Sequence, residues 1–415
     1  MGVASEFKNP ETFEPYQALY IHIPFCKARC HYCDFPTEAI DTDSPLIDAY
    51  IESLVLEIRA AARGGLLGQI KSIYLGGGTP SHIGARRLVN LIYTLSVSMN
   101  LHSGIEFTLE CNPESLTSSL VRDVFALGVN RFSLGVQSFI DSELVTMGRV
   151  HDSQKAHEAI DTVLERCSNV SIDLICGIPG QDMVSWAKTL DAALSHDITH
   201  ISIYPLTIED TTPLAQAIKS GLLAQPDEDL QAEMMLFAQD RLAQAGVVRY
   251  EVASYARIQE DMQEDKKENC PCSAPDYNCR HNIAYWTGLP YLGLGHHAAG
   301  MRIHSSTLAR ERLLEGKVIE RLSPQQAALE DIMLGMRLVQ GIPHAHLETL
   351  ALNYPKLSYH LQRTLCELAE LELVDKTATH YMPTNKGWLL GNEIFGRIWA
   401  LEEHCDDSVT IVSGE

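Results

Sequence analysis

The order of segments predicts an α/β protein: a partial (βα)6-type barrel followed by a smaller, mostly helical, winged-helix-like domain. Three observations carry this expectation. Between about Ala18 and Ala256, short β-type runs alternate with longer amphipathic stretches, which implies a parallel sheet covered by helices. Several of the runs end in glycine or polar residues, as the mouth of a barrel requires. Near Leu322 the alternation stops and helical spacing takes over.

The strand candidates are "ALYIHIPF", "IKSIYLGGG", "IEFTLECN", "NRFSLGVQS", "NVSIDLICGI", "THISIYPL" and "VRYEVASY". Between them, segments such as "PLIDAYIESLVLEIRAAARG" repeat apolar residues at helical spacing. The strand ends carry Cys26, Gly76 to Thr79, Glu110 to Asn112, Gln137, Asp173 and Tyr204. One polar strand end is ordinary, whereas six in register point to a site. After Ala256, "RIQEDMQEDKKENCPCSAPDYN" reads as a polar, acidic loop.

These boundaries predict a tail over 1–17, the barrel over 18–258, a connecting region over 259–321 and a C-terminal domain over 322–415. In that last domain "SPQQAALEDIMLGMRLVQG", "HAHLETLALN" and "KLSYHLQRTLCELAELELV" read as three helices. A hairpin near "LVDKTATHYMPT" and a helix through Ile394 complete it. Winged helices often bind DNA, but this one is not basic, so it reads as a docking or lid domain.

With 415 residues, 45% hydrophobic and 21% charged, the chain can bury a large core. A formal charge of −22 argues against a nucleic-acid partner, and with it against a transcriptional regulator. No apolar run approaches the ~18 residues of a membrane-spanning helix. The opening "MGVASEFKNPETFEPYQ" lacks the basic start and apolar core of a secretory signal, so the expected location is cytoplasmic. Eleven cysteines in such a chain are expected to bind metal or lie buried, not to pair as disulfides.

Cys26, Cys30 and Cys33 stand in "YIHIPFCKARCHYCDF" with the spacing C-x3-C-x2-C. Three thiolates on one loop can hold three irons of a cubane cluster and leave the fourth open, the arrangement of a reacting metal site. The competing readings are three buried cysteines, or a zinc site completed by His22 or His31. "YLGGGTPS" follows a strand but lacks the G-K-[ST] of a P-loop, and Ser81 replaces the third glycine of a dinucleotide fingerprint. What remains is close backbone approach to a ligand. "GLGHHA", from Gly293, fits G-x-G-x-x-A, yet the chain beyond it reads as helical, with no βαβ unit to build a nucleotide fold.

On these motifs the sequence resembles the radical S-adenosylmethionine superfamily, and within it the oxygen-independent coproporphyrinogen III oxidase-like family, from about Tyr20 to Ile394. The resemblance implies a [4Fe–4S] cluster on Cys26, Cys30 and Cys33. S-adenosylmethionine would chelate the open iron and yield a deoxyadenosyl radical on reduction. By the same resemblance Gly77, Gly78 and Thr79 hold the methionine moiety, and Glu110, Gln137, Arg149 and Asp173 contact the cofactor. Tyr20 and Tyr32 accompany them beside the cluster loop.

Two branches of that family compete. The coproporphyrinogen III dehydrogenases, which decarboxylate oxidatively, read C-x3-C-x2-C-x-C. Here the final position is Phe35, the form of HemW-type haem chaperones. "CRHNIAYW" places His281, Asn282, Tyr285 and Trp286 in the H-N-x-x-Y-W motif that the resemblance associates with haem. Imidazole is a common axial ligand, and the two aromatic residues offer flat faces to a porphyrin. The expected function is therefore a haem chaperone that passes haem to an acceptor protein, with the dehydrogenase as the alternative. The cluster would then regulate transfer or the formation of a homodimer. A membrane-associated acceptor would bring the protein to the bilayer without spanning it. Three features depart from the family: the Cys270, Cys272 and Cys279 group, the His296–His297 pair, which offers a second axial ligand, and "SYA" after Ala253.

Overall fold

In the computed structural model, which describes residues 12–102, 104–258 and 277–405, six parallel strands frame the larger domain. They are β1 (Ala18–Ile23), β2 (Ser72–Gly77), β3 (Glu106–Cys111), β4 (Arg131–Gln137), β5 (Val170–Cys176) and β6 (His200–Pro205), adjacent in that order. The helices Pro45–Arg63, Ala85–Ser98, Ser118–Ala126, Ser153–Leu164 and Met183–Leu194 connect them. Their starts are set locally: Ser44, Thr117, Asp152 and Asp182 each accept a backbone N–H of the first turn.

Register sorts the side chains. Tyr20 pairs with Tyr74 and His22 with Gly76, while Asp173 pairs with Gly135 and Ser202. Ile21, Ile73, Leu109, Phe132, Ile172 and Ile201 turn the other way into the main core. Strands of parallel sheets usually read as continuous apolar runs because both faces are buried in hydrocarbon. Here every second residue is polar, because one face lines the inside of the barrel.

The seventh predicted run, "VRYEVASY", is two strands. β7 (Val247–Arg249) and β8 (Ser254–Arg257) form an antiparallel hairpin, and β8 pairs antiparallel with β6. The break falls where Tyr250 turns inward to share a hydrogen bond with His200 Nε2 at 2.8 Å. A second correction concerns the chain after "GLGHHA". β9 (Tyr291–Leu294) lies parallel to β1, and β10 (Ala299–Ile303), β11 (Arg310–Leu314) and β12 (Lys317–Leu322) follow as an antiparallel meander. Its strands are short and rich in charge, held by cross-strand pairs such as Arg302 with Glu311 at 2.6 Å and Arg321 with Glu311 at 3.0 Å. One twelve-stranded sheet results. The acidic loop with Cys270 and Cys272 lies outside the described residues, as does the tail before Thr12.

The C-terminal domain runs helix Pro324–Gly335, strand Ile342–Pro343, helices His344–Asn353 and Pro355–Glu370, then strands Val374–Lys376 and His380–Pro383. That is the order of a winged helix, with its own core of Leu329, Leu361, Leu365, Ile394 and Phe395. Helices Asn385–Leu389 and Gly391–Trp399 close it. Buried Arg310 of β11 clasps it by pairing with Glu330 at 2.7 Å and with Asp331. Among the described residues no helix is long and apolar enough to cross a membrane.

Gly293 lets β9 and β10 meet: a Cβ there would sit 2.1 Å from the Ala299 carbonyl oxygen. Gly293→Ala is expected to lower stability by about 2 kcal/mol through overpacking against backbone, read as an earlier thermal melt.

Candidate functional site

At the mouth of the barrel the chain leaves β1 through Pro24 and forms a two-residue parallel bridge, Phe25–Cys26 with Glu38–Ala39. The loop between these segments carries Cys26, Cys30 and Cys33, all partly buried free thiols. Tyr32 points down from it into an apolar cluster with Met147, Ile175, Ile178, Leu206 and Leu214, which pins the loop to the ends of β5 and β6. The Cys30 carbonyl accepts the Cys33 N–H at 3.2 Å, tightening the turn.

Two of the sulfurs meet donors from separate segments at the barrel mouth. Thr79 Oγ1 donates to Cys26 Sγ at 3.6 Å and Arg149 Nη1 to Cys30 Sγ at 3.3 Å. Asn112 joins the two donors: its Nδ2 donates to Thr79 Oγ1 at 2.9 Å, and its Oδ1 accepts from Arg149 Nη2 at 2.8 Å. Arg149 Nη2 also reaches the Gly135 carbonyl at 2.6 Å. Burial pushes the Cys26 and Cys33 thiols up, so thiolates at these positions require cations or donors beside them. Burial works against the charge of Arg149, but Tyr32, Cys30 and Glu114 hold its pKa above the ordinary value. Such donors around separated sulfurs fit an iron–sulfur cluster. Among the described residues, no three His, Cys, Asp or Glu side chains converge as a single-ion site.

The glycine run at the end of β2 forms a cradle. A Cβ on Gly76 would lie 2.7 Å from Glu110 Oε2, one on Gly77 2.6 Å from the His22 ring, and one on Gly78 2.7 Å from the Phe25 carbonyl oxygen. Gly77 also has φ 115°, in the region that favours glycine. Glycine is therefore required here by close packing of the β2 end against Glu110, His22 and the Phe25 carbonyl, beside the cysteine loop.

Glu110 stands below this cradle and accepts from Tyr74 OH at 2.6 Å and from Gly77 N–H at 3.0 Å. Burial raises its pKa to about 7, against the opposing pull of Tyr74. Burial likewise raises Asp173 to about 6, with Ser202 opposing. Gln137 sits on a bulge in β4 at φ 69°, which turns it toward the mouth end. Tyr20 OH is 3.0 Å from His22 Nδ1, and Tyr204 keeps 44% of its surface open. Tyr74 and Asn112 were missing from the predicted site. Their parts depend on strand register, although Asn112 already ended a polar strand.

The haem motif lies elsewhere. Helix Arg280–Trp286 enters the opposite end of the barrel, where Glu106, the first residue of β3, accepts the N–H groups of Arg280 at 2.9 Å and His281 at 3.1 Å. His281 is only 1% exposed, and both ring nitrogens are engaged, Nδ1 with Ser72 Oγ at 3.1 Å and Nε2 with Tyr285 OH at 2.9 Å. Burial, reinforced by Arg131, lowers its pKa to about 3, so the ring is neutral. Ser72 begins β2 and Gly77 ends it, so the two sites stand about 16 Å apart along the strand. Ligation of iron by His281 would require one of these two hydrogen bonds to open. Trp286 donates to Glu251 at 2.9 Å, and Asn282 is partly buried on the same helix. Cys279 is buried just before that helix, and burial pushes its thiol up to about 12.

Comparison with known proteins places this geometry. The Radical SAM superfamily model matches residues 20–193, and the HemN C-terminal domain model matches residues 322–390. The chain is 33% identical over 361 residues to a protein of Synechocystis sp. named heme chaperone HemW, covering 82% of this chain and 83% of that one. A Lactococcus lactis protein of the same name is 32% identical over 389 residues, covering 91% and 96%. Among solved structures, the coproporphyrinogen III oxidase HemN of Escherichia coli superposes with a TM-score of 0.74 over 94% of this chain and 91% of that one. At 19% identity, that likeness concerns the fold.

The raised carboxylates give a signed pH dependence. Between the ordinary value of 4.5 and about 7, Glu110 keeps its proton in the folded chain and has lost it in the unfolded one. Stability therefore falls as pH rises through that window. Glu110→Gln, which mimics the protonated acid, is expected to raise the melting temperature at pH 8, by about 1–2 kcal/mol of stability, and to leave it nearly unchanged at pH 5.

Proposed function

Because this chain belongs to the heme chaperone HemW family within the radical SAM superfamily, we propose that it binds haem and transfers it to an acceptor protein. In this reading Cys26, Cys30 and Cys33 hold a [4Fe–4S] cluster with S-adenosylmethionine on its open iron. The observation that carries the reading is similarity to named heme chaperones along most of the chain. Phe35 agrees with it: an aromatic residue, 67% exposed, occupies the position where the dehydrogenase branch has a further cysteine. The protein would work in the cytoplasm, alone or as a homodimer, and meet a membrane-associated acceptor at the bilayer surface.

When bound, the cluster supplies the electron that cleavage of S-adenosylmethionine requires. The chain's own residues do the rest. Thr79 and Arg149 donate to sulfur and stabilise thiolates, as hydrogen bonds to sulfur do in cluster proteins. Gly77, Gly78 and Thr79 receive the methionine moiety on bare backbone. Glu110, Gln137 and Asp173 line the path of the nucleoside, with Tyr20 behind them and Tyr32 sealing the loop. Asn282, Tyr285 and Trp286 belong to the helix that the resemblance ties to haem.

Anaerobic reconstitution with iron and sulfide is expected to give a brown protein with four irons per chain, by analogy of ligand count. Cys26→Ser, Cys30→Ser and Cys33→Ser should each lose that absorption. Ferric haem added to the reconstituted chain should give a shifted Soret band and pass to an apo-acceptor. Zinc without inorganic sulfide would overturn the cluster assignment. Protoporphyrinogen formed over many turnovers from coproporphyrinogen III would replace the chaperone with the dehydrogenase.

A further inference from the structure

We propose that the guanidinium of Arg337, set against Trp286 where the two domains join, binds a carboxylate of the cargo: a propionate of haem held by helix Arg280–Trp286. The inference rests on the haem reading above and gives the edge of the macrocycle a partner outside the H-N-x-x-Y-W motif.

What points there is a shortage of partners. A charge taken out of water is ordinarily paired and hydrogen-bonded. Arg337 is half-buried, yet its Nε is shut off from solvent with no hydrogen-bond partner among the described residues. Its guanidinium lies instead over two rings, 5.0 Å from the centre of Trp286 and 4.2 Å from that of Phe395. Burial draws its pKa below the ordinary value, against the pull of Glu251. That carboxylate is shared, because it also acts on Arg249 of β7 and accepts from Trp286 Nε1 at 2.9 Å. Burial raises the pKa of Glu251 as well, which weakens it as a negative partner. Two guanidiniums thus face one carboxylate, in a chain with 54 acidic and 32 basic residues. One positive charge is left over.

Arg249 is already committed. Its Nη1 donates to the Val252 carbonyl at 2.9 Å and its Nη2 to Tyr255 OH, while Trp388 lies 5.2 Å from its guanidinium. Arg337 is the freer of the two. Stacking occupies the flat faces of a guanidinium and leaves its N–H edge for an acceptor in the same plane, the geometry in which arginine clasps a carboxylate. Aromatic walls lower the local dielectric and strengthen such a pair. Trp286, Trp388 and Arg337 are each half-buried, so the cluster can be reached from outside.

The class of anion follows from the neighbouring ring. Trp286 closes the helix of the haem motif, and haem carries two carboxylates on flexible arms at one edge. Binding there makes and breaks no covalent bond; a carboxylate replaces water at the N–H edge of Arg337.

The test is titration of the full chain with ferric haem and with its dimethyl ester, in one detergent, read by the Soret band, for wild type and Arg337→Met. Methionine keeps an unbranched side chain between the two rings without the charge. Wild type is expected to bind haem about tenfold more tightly than the ester. Arg337→Met should bind haem about tenfold more weakly than wild type does, and the ester equally well. If Arg337→Met weakens both ligands alike, the residue only joins the domains and the proposal is overturned. If wild type binds haem and ester equally, it is overturned too, whether or not the variant folds. In both of those cases the Soret shift leaves the haem reading standing. If wild type gives no shift with either ligand, the haem reading fails and takes this contact with it.

Discussion

The carboxylate of Glu106, set against the N-terminus of helix Arg280–Trp286, is the contact from which the rest of the barrel is built. A seven-residue helix has little stability of its own. Here two of its first N–H groups are taken up by one buried carboxylate, and a negative charge at that helix end is favoured by up to ~2 kcal/mol when partly buried. Arg131, fully buried in the same interior, is offset by the same group. Once the helix is seated, Tyr291–Leu294 must follow beside β1, and the turn carrying His296 and His297 must emerge at the opposite rim.

At that rim, the cysteine loop is organised by donors it does not itself contain. Thr79 comes from the end of β2, Asn112 from the end of β3, and Arg149 from the segment after β4. Linked side by side, they reach two sulfurs, and each donor is oriented by the next. Ordered this way, the donors lose little entropy when thiolates form between them. Gly135 makes room for the arrangement, since a Cβ there would lie 2.8 Å from Asn112 Oδ1.

Much of this was legible in the amino-acid order, and for a physical reason. A barrel that holds a site inside must alternate polar and apolar residues along its strands, so β1 to β6 announced themselves together with Cys26, Gly77, Glu110 and Asp173. The glycine run was legible because a bare backbone is the feature that glycine alone supplies. Tyr74 was not, because its partner lies on a neighbouring strand and only register brings them together; Asn112 was legible as a polar strand end, but not as the link between Thr79 and Arg149. The meander β9 to β12 escaped because its strands are short and held by Arg–Glu pairs instead of an apolar pattern. His281 is the sharpest case: its motif could be read, but its closure by Ser72, 209 positions away in the chain, could not.

The joint between the domains bears on the reading of the C-terminal part as a lid. Arg337 lies between two rings, 5.0 Å from the centre of Trp286 on the barrel's inner helix and 4.2 Å from that of Phe395 in the winged domain. Alongside it, the Val339 N–H bonds to the Tyr250 carbonyl at 3.1 Å and Leu338 bridges to Glu251. Swinging the small domain away would break this sandwich and strip the backbone bridge in a single motion, with the Arg310 clasp still to be undone. A lid movement would therefore have to break all of these contacts together. Through Arg337 the winged domain is in direct contact with the Trp286 end of the buried helix, so a partner docked on that domain would sit one side chain away from it.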